Sequence, residues 1–521
     1  MSITAYIIPM FIIYFAFIII LGFYHSKGIK NSDDFLVDGR KTGFWVLVGT
    51  IVGTNVGGGT MIGMTGEAYQ MGVSALWPIL PMIVFVLIWT FLFVKYINRI
   101  RQVTLPDFLV LRFGESVRIP SALLTMLRSI VMTGMQILAM ASIISATLGW
   151  DTSASLAFSF IVTVVYCILG GMHTVMVTDA IQTVIQTIGP LLILGILLYS
   201  LTVSGSVSQV TSEIDPSFWN LWEPGWVVIF GFIAASGPYY LVYQPMWQRV
   251  YSAKDESTAF KSMLWGTIFS FITCLLPVAI GILANAVAPS GIAPDSVLPW
   301  MYLEYFPPLI GSFFAVSLIA AIMSVLDSMV LDGSANLVRD VYQKRINPDA
   351  TNKQLVFMGR IAVVIISTIG LLLAIALPNL IVLWVFANTL AAGGIVIPAL
   401  AAWFFKKATA KGAFWSIVLG GTGTLGWGLI NWWATGSPDT PYFGIHPVYV
   451  GFVLSLLALI LFSMNSPHSP EENPEATLYK KDDLVLADNK QVNKIKINQT
   501  YATFINTPNK TDMEREIINE H

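Results

Sequence analysis

Long apolar runs separated by short polar stretches recur along the chain, each near the roughly 17 to 25 residues that a helix needs to cross a bilayer. About thirteen can be counted, at 5–24, 45–65, 75–97, 121–148, 156–170, 174–201, 227–247, 263–287, 309–331, 356–377, 380–405, 413–432 and 448–462. The pattern predicts an all-α membrane protein. Lys and Arg follow the odd-numbered segments: Lys27, Lys30, Arg40 and Lys41 after the first, Lys95, Arg99, Arg101, Arg112 and Arg118 after the third. Arg249, Lys254 and Lys261 follow the seventh, Arg339, Lys344, Arg345, Lys353 and Arg360 the ninth, and Lys406, Lys407 and Lys411 the eleventh. Because cytoplasmic connections collect basic residues, the N-terminus is expected outside and the C-terminus inside. The first run has no basic leader and reads as an uncleaved anchor.

Two segments break the apolar pattern. The second contains TNVGGGTMIG, with Asn55, Gly57, Gly58, Gly59 and Thr60, and the seventh contains AASGPYYLVYQP, with Gly237 and Pro238. At 1.5 Å per residue the first break falls roughly 20 Å into the membrane, and the second lies at a comparable depth. Each opens a set of five segments, two to six and seven to eleven. Matched interruptions in two halves predict an inverted-repeat transporter with its site at the midplane. Glycine permits unwinding and proline removes an amide donor, so the freed backbone can bind a cation or solute where hydrocarbon could not satisfy it. The same glycines allow another reading. Gly49, Gly53 and Gly57 recur every fourth residue, the spacing of close helix packing in membranes.

Charge within the segments adds the candidate chemistry. A carboxylate at depth costs about 2.5 to 3.5 kcal/mol on insertion scales and calls for a partner. Asp179 in segment six and Asp327 in segment nine are expected in the same cytoplasmic third. Ser324, Asp327 and Ser328 share one helical face. With Asp179 they form an oxygen cage for a monovalent cation or a proton-accepting pair, although Asp179 could instead cap a helix start. Asp332 is placed at the inner interface, and Arg128 is expected to snorkel to the cytoplasmic surface.

Composition agrees: 55% of residues are hydrophobic, 11% are charged, and the mean hydropathy is +0.72. A net charge of −2 gives no footing for nucleic acid. Cys167 and Cys274 lie in apolar runs and suggest no disulfide framework. The five histidines are dispersed and no HExxH, GxSxG in strand context or P-loop occurs, which argues against a membrane-embedded enzyme. A channel is the other alternative, and paired mid-depth breaks favour a gated carrier over it. The polar stretch 465–521 is read as a flexible cytoplasmic tail without a core.

The stretches DDFLVDGRKTGFW, TNVGGGTMIGMTGEAYQMG, TLPDFLVLRFG, GGMHTVMVTDAIQ, QPMWQRVYSAKD and AAIMSVLDS, in that order, resemble the sodium:solute symporter family. The resemblance implies a leucine-transporter-like fold: an external helix and loop at 1–43, a transport core at 44–405 (repeats 44–201 and 226–405), two helices at 406–464, then the tail. It implies cation-coupled uptake of a small organic solute by alternating access in the plasma membrane, with no obligatory protein partner. The coupling ion is Na+, with H+ through Asp179 and Asp327 as the alternative. One sodium is implied at the positions of Gly53, Val56 and Ala321 with two adjacent hydroxyls. Ser324 supplies the first, but Val325 stands where the second belongs. A sodium nearer the cytoplasm is implied at Asp179, Ser324, Asp327 and Ser328. The resemblance points to Asn55, Thr60, Trp77, Tyr243 and Gln244 for solute, with Trp384 and Asn388 as additions.

Overall fold

The computed structural model describes residues 3–26, 32–169, 171–203, 215–285, 287–289, 291–377, 380–438 and 442–473. Among them every regular element is helical, with two isolated β-bridges. Nine helices are long and apolar enough to cross a membrane, and two bent pairs raise the number to eleven. The other two expected spans are a shorter apolar helix and a span cut into three pieces, which length and composition alone do not count.

Helix α1 (Ile3–Ser26) is followed by α2 (Phe44–Asn55) and α3 (Met64–Met71), the two arms of the first broken span. The chain bends by 57° between them. Helices α4 (Leu80–Leu92) and α5 (Val94–Ile100) form the second bent pair, and the short α6 (Leu105–Phe113) follows. Thr104 caps α6 by accepting the Asp107 amide. Then come α7 (Arg118–Leu148), α8 (Thr152–Leu169) and α9 (Met172–Val203).

The second broken span consists of α10 (Gly225–Ser236), a tight turn of helix at Pro238–Val242, and α11 (Gln244–Ser252). The α-helix ends at Ser236 with Gly237, still in helical dihedrals, as its cap, so the interruption opens at the expected Gly237-Pro238. The chain leaves the helix at Tyr243, with φ −72° and ψ 92°. Pro245 at the first turn of α11 has no amide to donate, and the helix restarts there. Helices α12 (Glu256–Ala284), α13 (Pro308–Ala335), α14 (Asn352–Ala376), α15 (Leu380–Phe404), α16 (Ala410–Thr435) and α17 (Pro447–Met464) complete the fold.

Helix α13 is the axis of the molecule. Every residue from Phe314 to Ala335 is buried, as expected of a helix apolar around its whole circumference. It packs against α7, α9 and α1, while α2 packs between α9 and α12. Helices α16 and α17 form a peripheral pair beside α15. The expected tail lies outside the described residues from position 474 onward.

Candidate functional site

At the first break Val56 takes an extended conformation (φ −115°, ψ 99°), which turns its carbonyl out of the helical ladder. The exposed backbone finds side-chain partners, as a buried peptide group requires. The Gly58 amide donates to Gln136 Oε1 (3.1 Å), and the Asn55 carbonyl accepts from Thr60 Oγ1 (3.2 Å). The second break closes against the first, because the Tyr243 hydroxyl donates to the Thr54 carbonyl (3.3 Å). The glycines serve both readings of their spacing. A Cβ on Gly49 would lie 2.6 Å from Ala180 Cα, so this glycine is a packing contact. A Cβ on Gly57 would meet Val325 at 2.6 Å, beside the cavity.

That cavity lies between the breaks and is lined by Asn55, Thr60, Arg128, Gln136, Tyr243 and Trp384, among others. Asn55 donates to Ser270 Oγ (3.1 Å) and keeps Oδ1 without a hydrogen bond. Three expected solute residues lie elsewhere. Trp77 donates to the Leu221 carbonyl (2.7 Å) and packs on Trp222. Gln244 bridges the Leu105 amide and the Asp332 carbonyl (3.0 and 3.4 Å). Asn388 is buried outside the cavity lining.

Arg128 corrects the sequence reading most sharply. It is 3% exposed and does not snorkel. Its guanidinium lies over the rings of Tyr239 (5.0 Å) and Tyr243 (4.6 Å), its Nη1 meets Met329 Sδ at 2.9 Å, and its Nε has no hydrogen-bond acceptor. Among the described residues it forms no ion pair. Asp332 is buried as well, accepting from Ser129 Oγ (2.5 Å), and is not a solvated interface residue.

Groups of the first expected cation position come together in part. Ser324 Oγ donates to the carbonyls of Gly53 (2.9 Å) and Ala321 (3.0 Å), so three of the expected groups meet at one point. Val325 adds only methyl groups. At the second expected position, Asp179 lies seven residues inside α9, not at its cap. It accepts from Thr50 Oγ1 (2.6 Å). Asp327 accepts from the Tyr166 hydroxyl (3.0 Å). The residue that sequence reasoning missed is Arg249, counted there as a loop cation. It is fully buried on α11 and donates to Ser328 Oγ (2.5 Å), Asp179 Oδ2 (3.3 Å) and Thr50 Oγ1 (3.3 Å). Arg249 thus pairs with Asp179, while Asp327 is held by a tyrosine hydroxyl and Asp332 by a serine.

Two interrupted spans that meet around a cavity beside a buried oxygen cluster define a secondary transporter with a leucine-transporter-like fold. Residues 35–420 match the sodium:solute symporter family model, and the chain belongs to that family of sodium-coupled carriers. It is 27% identical to the osmoregulated proline transporter OpuE of Bacillus subtilis over 87% of this chain and 93% of that protein. It is 26% identical to the sodium/pantothenate symporter of Escherichia coli over 82% and 89% of the two chains. A Na+-coupled sialic acid symporter, solved in a substrate-bound outward-open state, superposes with a TM-score of 0.77 at 17% identity. That match covers 90% of this chain and 98% of the other.

Proposed function

We propose that this carrier couples Na+ entry to uptake of a small organic solute bearing a carboxylate. Proline, pantothenate and sialic acid, the solutes in the relatives' names, differ widely in size and polarity, so membership alone selects none of them. Arg128 carries the choice. A guanidinium taken out of water is stable only with an anionic or well-bonded partner, and it holds a carboxylate through two parallel hydrogen bonds. Asn55, Thr60 and Gln136 are then left to bond the polar remainder, and Tyr240 and Trp384 to cover its apolar part. In this reading residues 44–405 are the transport core and Asn55, Thr60 and Tyr243 are solute contacts. Gly53, Val56, Ala321 and Ser324 hold one sodium, and Asp179, Asp327 and Ser328 belong to an inner cation cluster. The chain resides in the plasma membrane with its N-terminus outside.

The test is a thermal-shift screen of the purified protein in NaCl with matched pairs of small solutes, each carboxylic acid beside its primary amide. Carboxylates are expected to raise the melting temperature where their amides do not. Arg128→Gln is expected to weaken the best carboxylate by about a hundredfold or more. Amides that stabilise as well as their acids would remove the proposal.

A further inference from the structure

The inner oxygen cluster already holds a positive charge belonging to the chain. Arg249 Nη2 occupies the space between Ser328 Oγ and Asp179 Oδ2, two of the groups assigned above to an inner cation. Its Nε reaches Thr50 Oγ1, and its Nη1 is held by the Pro245 carbonyl of its own helix (3.2 Å). Asp179 Oδ1 and Asp327 Oδ1 remain buried without a hydrogen-bond donor among the described residues. The cluster thus offers unused carboxylate oxygens while Asp179 Oδ2 and Ser328 Oγ are engaged by a guanidinium.

We propose that Arg249 is a tethered cation that takes turns with the free coupling ion at this cluster. A guanidinium and Na+ cannot share Asp179 and Ser328 at contact distance, since like charges repel strongly in a poorly solvated interior. The elements carrying the two sides also differ. Arg249 is on α11, the inner arm of the second broken span, whereas Asp179 is on α9 and Ser328 on α13. Carriers built on inverted repeats work by rocking one bundle of spans against the rest, so a contact between these elements is suited to being made in one state and broken in another. With Na+ bound, the ion holds the cluster and Arg249 withdraws. With Na+ released, Arg249 returns, and the cluster is not left without a cation in the low-dielectric interior. This rests on the sodium-coupled character of the protein and not on the identity of its solute.

The experiment uses the full chain, purified in detergent, with NaCl as the probe and choline chloride holding ionic strength constant. The readout is the Na+ concentration that gives half of the maximal thermal stabilisation. In Arg249→Ala this concentration is expected to fall by about tenfold or more, because the internal competitor is gone. Guanidinium ion at low, non-denaturing millimolar concentration is expected to raise it again in that variant, competitively, and to leave the natural protein unchanged. Arg249→Lys, which keeps the charge, is expected to stay close to the natural Na+ requirement and controls for a variant that folds poorly. An unchanged or higher Na+ requirement in Arg249→Ala, or no competition by guanidinium ion, overturns the proposal. Absence of any Na+ effect on the natural protein would instead count against the sodium coupling itself.

Discussion

At the residue scale, two buried guanidiniums, Arg128 and Arg249, stand beside the cavity and the oxygen cluster. Asn55 and Thr60 flank a glycine run, and both line the cavity. Arg128 and Arg249 lie near segment ends, where a basic residue ordinarily reaches solvent. Their burial depends on Tyr239, Met329, Asp179 and Ser328, which come from other segments and leave no trace in the local sequence. Val325 gives a direct check on the first expected cation position. It is buried beside Ser324 and abuts the break at Gly57. Val325→Thr keeps the shape and adds an oxygen, so the Na+ concentration for half-maximal uptake is expected to fall by up to about tenfold, the equivalent of one added polar contact. An unchanged requirement in Na+-titrated uptake would place the ion elsewhere.

At the scale of elements, the first break was legible because three glycines in an apolar run have few other uses. The second opens where Gly237 and Pro238 signal it, at the end of α10, and extends through the tight turn to Tyr243. Its far end is set by Pro245, which fixes where a helix can begin. The close approach of α2 and α9 sets how the first break faces the oxygen cluster, since it aligns Thr50 with Asp179 and the Gly49 carbonyl with Thr183. Gly49→Val would drive a side chain into the Ala180 backbone, and overpacking of this kind costs about 1 to 3 kcal/mol. A lower melting temperature together with lost Na+-dependent stabilisation is the expected result. Gly195→Ala, where an added Cβ meets nothing within 4 Å, is expected to change neither quantity. Equal behaviour of the two variants would show that the α2–α9 contact does not position the site.

At the scale of the whole molecule, the alternation of basic residues predicts an orientation but hides a structural use for some of those residues. Arg118, counted as part of a loop, is buried at the start of α7 and donates to Asp107 (2.6 Å), Asp340 (2.7 Å) and Glu115 (2.8 Å). Arg339 adds a longer contact to Asp107 (3.4 Å). This cluster fastens α6 to α7 and to the helical continuation Asn336–Ile346 beyond α13, so it joins the ends of elements far apart in sequence. Removing the shared cation leaves buried carboxylates unpaired, and Arg118→Met is expected to cost about 3 to 5 kcal/mol, read as a large fall in melting temperature. Burial pushes Asp107 up, but Arg339 and Arg118 outweigh it and hold the carboxyl below its ordinary value of 3.8. A carboxyl lowered in the folded state stabilises the fold fully above its unfolded value, and that contribution disappears as pH falls through the folded one. Melting temperature should therefore show no loss from this group between neutral pH and about pH 5, then a decline below about pH 4. Asp107→Asn should be less stable at neutral pH and should show a shallower acid decline. A variant that kept the full acid decline would assign it to other carboxyls and deny Asp107 this role in holding these helix ends together.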